Sequence, residues 1–385
     1  MLPELSQEEV LRYSRHLIVP EVGIHGQQKL KAASALIIGS GGLGSPIALY
    51  LAAAGIGHIG LVDFDVVESS NLQRQVIHST EYVGRLKVES ARKRLQDLNP
   101  YIQVDIYPEP FQAENAPQIA AEYDVLLDGT DNFAARYLIN DLCVLEGKPY
   151  VYGSIFKFEG QVSVFDARYG PCYRCIFPDP PPEGAILPTS EVGLFGVLPG
   201  TIGTIQATEA IKLILGIGKP LYNKLLLYDA LDMTLQPVLL QKNSKCKICG
   251  SNPEITQLEN INIYQGTWKE TKKIWEVGNS SWYIEPSVLR QKLSENNKIQ
   301  VVDVREPVEQ LISQFPGSRQ IPFGKLADEI SELDPNQEVI LICRNGQRSY
   351  WAYQRFQAAG FSKVRILRGG LNAWVRQVDG SMLEY

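Results

Sequence analysis

Histidine is scarce in this chain, four among 385 residues, and none follows His78. A nucleophile further downstream has no imidazole nearby in sequence to activate it. Long basic runs are missing and the net charge is −6, which argues against a nucleic-acid partner. No apolar run is long enough to span a membrane. The longest, IALYLAAAGIGHIGLV (Ile47–Val62), is broken by Gly55, Gly57 and His58 and reads as a helix followed by a strand. MLPELSQEEV lacks the basic and apolar regions of a signal peptide, so the cytoplasm is the expected location. Neither an internal repeat nor a low-complexity tract occurs. Cysteine is limited to Cys143, Cys172, Cys175, Cys246, Cys249 and Cys343. In a chain of this size without sign of secretion, such cysteines are expected to bind metal or do chemistry, not to form disulfides.

What is present has the composition of a globular protein, with 44% apolar and 21% charged residues, and room for two domains with separate cores. SQEEVLRYSRHLIV opens with a capping-box pattern, Ser6 to Glu9, and continues as an amphipathic helix. ALIIG predicts a buried strand, SGGLGS a tight turn, and Pro46 the start of a helix. HIGLVDFD is a second strand, LKVESARKRLQDLNP a helix, and YDVLLDGTDN a third strand. The alternation predicts a doubly wound, mostly parallel sheet. IGTIQATEAIKLIL is a further amphipathic helix. Residues 252–281 lack sustained periodicity and read as a linker between domains at 1–251 and 282–385. The second domain repeats the alternation: IQVVDV, LADEISEL, EVILIC, SYWAYQRFQAAG and KVRIL.

GSGGLGSP (Gly39–Pro46) lies between strand and helix, where backbone N–H groups and the positive helix end can face phosphates. Asp63 ends the next strand, where a ribose-binding carboxylate belongs. Both features fit NAD or ATP. Asn71, Arg74, Lys87 and Asp131 favour ATP, because a triphosphate under attack needs cations on its oxygens and a carboxylate for Mg²⁺. Cys172-x-x-Cys175 and Cys246-x-x-Cys249 suit tetrahedral Zn²⁺, with a redox pair as the rival for either hook alone. Four thiolates leave no open position for catalysis. Cys143, in RYLINDLCVLEG, is expected to be an inert core residue.

Cys343 remains. In CRNGQRS it follows a strand and precedes a helix, so its sulfur would sit in a ring of backbone N–H groups. Arg344, Arg348 and the helix N-terminus add positive potential, which favours thiolate. The four residues between Cys343 and Arg348 make a tighter ring than the phosphate-sized loop of tyrosine phosphatases.

RYSRH, GSGGLGSP, LVDFDVVESSNLQRQ, GRLKVESA and DGTDNFAARY resemble the adenylating enzymes of the MoeB/ThiF group, relatives of the ubiquitin-activating enzymes. That resemblance implies ATP contacts from Gly42, Asp63, Ser70, Asn71, Arg74, Lys87, Asp131 and Asn132. It also implies a zinc site, and an Arg15 that enters the neighbouring subunit's site in a homodimer. Without the resemblance, Arg15 is one polar position on an amphipathic helix. CRNGQRS, WYIEPSVLRQKL, VVDVREPVE, FPGSRQIP and LRGGLNAW resemble a single rhodanese domain, in which Asp303 and Arg305 are structural. The whole chain is similar to the fused adenylyltransferase–sulfurtransferases. The implied fold class is α/β, a Rossmann-like E1-type adenylation domain plus a smaller α/β rhodanese domain.

The implied partner is a ubiquitin-like sulfur-carrier protein of the MoaD/ThiS type, ending in Gly-Gly and leaving as a thiocarboxylate. Its sulfur would come through a Cys343 persulfide from a donor such as a cysteine desulfurase, and serve molybdopterin, thiamine, cysteine or tRNA thiouridine. Two other readings stay open: a rhodanese unit that only docks a partner, and an NAD-dependent oxidoreductase. One position departs from the pattern. Many relatives carry a cysteine in the crossover loop over the adenylate, where this chain has Thr189, beside Ser190. Neither can form a persulfide. The Cys343 persulfide is therefore expected to meet the adenylate directly, with an external thiol releasing the product.

Overall fold

The computed structural model describes residues 2–180, 193–261, 282–295 and 299–384. These form two compact units, divided between Gln265 and Gly266.

In the first unit a strand of five buried residues, β1 (Ser34–Ile38), lies inside an eight-stranded sheet. Its partners are β2 (His58–Val62), β3 (Gln103–Tyr107), β4 (Val125–Asp128), β5 (Tyr150–Phe156), β6 (Glu159–Phe165), β7 (Lys224–Asp229) and β8 (Thr234–Leu239). The order is β3-β2-β1-β4-β5-β6-β7-β8. Pairing is parallel through β5 and antiparallel from β5 to β8. The helices are α1 (Gln7–Arg12), α2 (Ser14–Leu17), α3 (Gly23–Ala32), α4 (Gly44–Ala54), α5 (Lys87–Leu98), α6 (Ala116–Ala120), α7 (Phe133–Glu146), α8 (Tyr173–Ile176) and α9 (Leu198–Leu215).

Strand β1 reads as continuous apolar sequence because both its faces are covered. Its pleat sends Ala35 and Ile37 to a core with Ile47, Leu51, Leu95 and Ile202. Leu36 and Ile38 go to the opposite core with Leu126, Tyr137, Leu142 and Tyr150. Each such aliphatic side chain stabilises by roughly 1.5–3 kcal/mol. Helix α9 crosses α4 closely. A Cβ on Gly203 would lie 2.5 Å from Pro46 Cγ and 2.7 Å from the Leu43 carbonyl oxygen. Pro237 is tolerated in β8 because that strand is an exposed edge.

Three expectations for this unit are adjusted. The helix expected from SQEEVLRYSRHLIV is two, parted at Tyr13, although the Ser6–Glu9 capping box is present. Tyr13 turns inward and its hydroxyl accepts a hydrogen bond from Asn99 Nδ2 at 2.8 Å. Strand β3 and the antiparallel half had no place in the sequence reading, although β6 alternates around Val162 and Val164 and β7 carries LLLY; only β8 is exposed throughout. Residues 252–261, inside the expected linker, lie along the first unit. Leu258 and Ile261 pack on the Tyr137 core, and Asn260 Oδ1 accepts the Ala113 N–H at 2.8 Å.

The second unit has one all-parallel sheet of five strands: β9 (Tyr283–Ile284), β10 (Ile299–Asp303), β11 (Arg319–Gln320), β12 (Glu338–Ile342) and β13 (Val364–Leu367). Their order is β11-β10-β12-β13-β9, which puts β12 in the middle. Helices α10 (Pro286–Ser294), α11 (Leu326–Glu329), α12 (Gln347–Ala358) and α13 (Gly370–Gln377) complete it. LADEISEL, expected to be one helix, is α11 followed by a 3₁₀ turn at Ile330–Glu332. Among the described residues, no helix is long and apolar enough to cross a membrane.

Candidate active sites and metal centre

Strand order reverses between β1 and β4, and the carboxyl ends at such a switch point are where sheets of this kind bind ligands. The glycine turn after β1 is closely packed at two of its glycines. A Cβ on Gly44 would sit 1.9 Å from the Gly39 carbonyl oxygen, and one on Gly42 3.2 Å from Pro199 Cβ. Asp63 braces this turn. Its Oδ2 accepts the Ser40 N–H at 2.8 Å, and its Oδ1 accepts the Asp65 N–H at 2.9 Å. Burial pushes the Asp63 carboxyl up, while Lys87 draws it down.

Lys87 opens α5 and is 8% exposed, with Nζ 3.1 Å from Asp65 Oδ2. Burial lowers its pKa, but Asp63, Asp65 and Asp131 outweigh that, and the net shift is upward. Arg74 donates from Nη1 to the Ser70 carbonyl at 3.0 Å. Burial lowers its pKa against the opposing fields of Asp131 and Glu68, and it stays a cation. Asp131, itself exposed, thus acts on both Lys87 and Arg74. Asn71 closes a 3₁₀ turn, its Oδ1 accepting the Glu68 N–H at 3.2 Å. Ser70 Oγ donates to Glu68 at 3.3 Å. Asn132 caps α7, accepting from the Ala135 N–H at 2.8 Å. Arg15 is exposed on α2, which packs on α3.

Two buried groups behind the turn were not singled out in the sequence. His78 Nε2 lies 3.0 Å from the Ser40 carbonyl oxygen and Nδ1 3.0 Å from Ser90 Oγ. The carbonyl only accepts, so Nε2–H is the donor and Nδ1 accepts from the Ser90 hydroxyl. Burial lowers the His78 pKa to about 4, so the ring is neutral. Asp128, at the end of β4, is wholly buried. It accepts Thr130 N–H at 2.8 Å, Thr130 Oγ1 at 2.7 Å and the Tyr150 hydroxyl at 2.7 Å. That fixes the DGTD turn carrying Asp131. Burial pushes the Asp128 carboxyl up, and Arg136 opposes it.

The four paired cysteines converge. Sγ of Cys172 lies 3.9 Å from that of Cys175 and 3.6 Å from that of Cys246, and Cys175 and Cys249 are 3.4 Å apart. Tetrahedral zinc with Zn–S near 2.3 Å requires edges of roughly 3.8 Å, so the cluster fits such an ion. The first hook is held by α7. Arg174 donates to both oxygens of Asp141 at 2.7 Å, and the Tyr173 N–H donates to Asn140 Oδ1 at 2.7 Å. Cys143 lies in the core, and burial pushes its thiol well up.

In the second unit β12 delivers Cys343, which is 0% exposed, to the start of α12. Its Sγ accepts the Gly346 N–H at 3.1 Å and the Ser349 N–H at 3.4 Å. Leu371 N–H donates to the Cys343 carbonyl at 2.8 Å. That approach needs glycine at 370, where φ is +63° and a Cβ would lie 2.5 Å from the same carbonyl oxygen. Ser349 Oγ is buried with no hydrogen-bond partner among the described residues. Arg348 was expected to lend its charge to the loop. Instead its Nη1 and Nη2 pair with Glu309 at 2.5 and 2.7 Å, because a buried guanidinium requires a counter-charge. Asp303 and Arg305 form a second, fully buried pair at 2.6 Å. Thr189 and Ser190 lie outside the described residues.

The pattern of the ThiF family matches residues 13–248, and that of the Rhodanese-like domain residues 285–377. Relatives run the full length. "Probable adenylyltransferase/sulfurtransferase MoeZ" of Mycobacterium tuberculosis is 44% identical over 99% of this chain and 96% of that protein. "Adenylyltransferase and sulfurtransferase MOCS3" of Drosophila sechellia is 41% identical over 98% and 85%. "Sulfur carrier protein adenylyltransferase" of Thermus thermophilus is 48% identical over 68% of this chain and 98% of that one. Among solved structures, E. coli MccB with ATP superposes with a TM-score of 0.55 at 25% identity, covering 62% of this chain and 73% of that one. The chain therefore belongs to the ThiF family, as an enzyme that joins an adenylyltransferase unit to a rhodanese-like sulfurtransferase unit.

Proposed function

We propose that the first unit uses ATP to adenylate the C-terminal glycine of a ubiquitin-like sulfur-carrier protein, and that a Cys343 persulfide converts the adenylate to a thiocarboxylate. Adenylation places negative charge on the α-phosphate as pyrophosphate leaves. Lys87 and Arg74, both held as cations beside Asp131, are suited to stabilise it. Asp131 would hold Mg²⁺, Asp63 the ribose, and Gly42, Ser70, Asn71 and Asn132 the remaining ATP contacts. Arg15, exposed on α2, would enter the partner subunit's site in a homodimer. Zn²⁺ on the four cysteines would be structural, with thiolates in all its positions. The enzyme would work in the cytoplasm, with 1–251 and 282–385 as its domains and a cysteine desulfurase as sulfur donor.

The observation that carries this reading is the Cys343 thiol inside two backbone N–H groups of a chain that also holds the glycine turn. Such donors favour a sulfur anion, thiolate or persulfide. Complete cover over Cys343 favours a second reading, in which the rhodanese unit only docks a partner. Mass spectrometry of a Gly-Gly carrier after incubation with ATP and a persulfide donor separates them. Wild type should yield thiocarboxylate and Cys343→Ala only the adenylate; thiocarboxylate from the variant would leave docking alone.

A further inference from the structure

A bare cation beside a sulfur-accepting thiol and a neutralised one select different donors. Arg348 is 2% exposed and Glu309 15%, and both nitrogens of the fork meet both carboxylate oxygens. This is the strong geometry for such a pair. Glu309 is itself fixed, because Oε2 accepts the Glu306 N–H at 2.8 Å at the head of the 3₁₀ helix Pro307–Leu311. The pair is tied to the loop through the backbone: Arg348 immediately precedes Ser349, whose N–H donates to Cys343 Sγ. Arg344 is more exposed, so water screens its charge.

Taking Cys343 as the sulfur carrier, we propose that Glu309 selects the sulfur donor: it cancels the buried loop cation, so the loop takes sulfur from a protonated organic persulfide in preference to a dianionic sulfur oxyanion. With the first, the Cys343 thiolate attacks the terminal sulfur of R–S–SH. The S–S bond breaks, R–S⁻ leaves with the electron pair, and Cys343–S–SH results. With thiosulfate, the thiolate attacks the outer sulfur, sulfite leaves as SO₃²⁻, and Cys343–S–S⁻ results. Atoms and charge balance in both. Only the second brings a dianion to the loop, and only it gains from an unmasked Arg348. Glu309 is a positioning residue, acting through Arg348.

Full-length protein is loaded with cysteine persulfide or thiosulfate, and sulfur on Cys343 is read by intact mass over time. Wild type should load faster from cysteine persulfide. Glu309→Gln keeps an oxygen for the Glu306 N–H but loses the charge. It should raise the thiosulfate-to-persulfide rate ratio at least about tenfold, an advantage that shrinks as salt is added. Glu309→Asp should stay near the wild-type ratio. A gain of thiosulfate loading cannot come from a damaged loop. Two results overturn the proposal while leaving Cys343 as carrier: wild type that loads equally fast from both, a measurement that needs no variant, or Glu309→Gln that loads persulfide normally and thiosulfate no faster. Wild type that loads from neither donor removes the carrier reading, and this inference with it.

Discussion

Lys87 shows how one side chain depends on several segments. It begins a helix, pairs with Asp65 and feels Asp63 and Asp131, so its charge is assured and its position fixed. Lys87→Ala should lower carrier-dependent ATP–pyrophosphate exchange by roughly 10²–10³-fold. His78 makes the opposite prediction, about stability. Its folded pKa of about 4 lies below the ordinary 6.5, so the unfolded chain binds the extra proton. The stabilisation is present above pH 6.5 and is lost as pH falls toward 4, on the order of 3 kcal/mol. His78→Gln should flatten that dependence in urea titrations at pH 4.5 and pH 7. Cys343 was legible because strand, loop and helix are contiguous. The Glu309 partner was not, since the two lie on different elements and no local pattern links them. His78 was equally hidden: a single histidine in a loop carries no spacing to read.

Among the elements, apolar runs told most. Strands β1 and β12 are covered on both faces and announce themselves as ALII and VILI. Strand β7 shows the run LLLY, but β8 does not, because an exposed edge strand needs no continuous apolar sequence. The break between α1 and α2 escaped periodicity because one inward tyrosine decides it. Helix contact makes Gly203→Ala a specific prediction. Its Cβ would meet the backbone of α4's first turn, so melting temperature should fall by the equivalent of about 1–3 kcal/mol, and KM for ATP should rise because α4 carries the glycine turn. The cysteine hooks are also an element-scale device. Cys246→Ser should abolish stoichiometric zinc, read by elemental analysis of purified protein, and lower the first unit's melting temperature. Zinc retained by that variant would remove Cys246 from the ligand set.

At the scale of the whole molecule, two chemistries occupy one chain and each should fail alone. Cys343→Ala should keep pyrophosphate exchange at the wild-type rate, and Lys87→Ala should still accept sulfur on Cys343. Loss of both activities from either change would mean that the units depend on each other's chemistry. The glycine turn, each cysteine pair and the Cys343 loop were all readable because each is a short contiguous motif. Sheet order, the packing of residues 252–261 and the buried polar braces required the chain to be folded, since they join residues far apart in sequence.

The cysteine hooks also decide how the first unit bears tension. The first hook is tied to α7 through Arg174 and Asp141, and the second lies between β8 and everything that follows. A pull arriving along the chain from the C-terminal side would peel residues 252–261 and then stop at the four-cysteine knot. While metal holds that knot, the load passes to a helix anchored in the core, and the exposed edge strand is spared from unzipping.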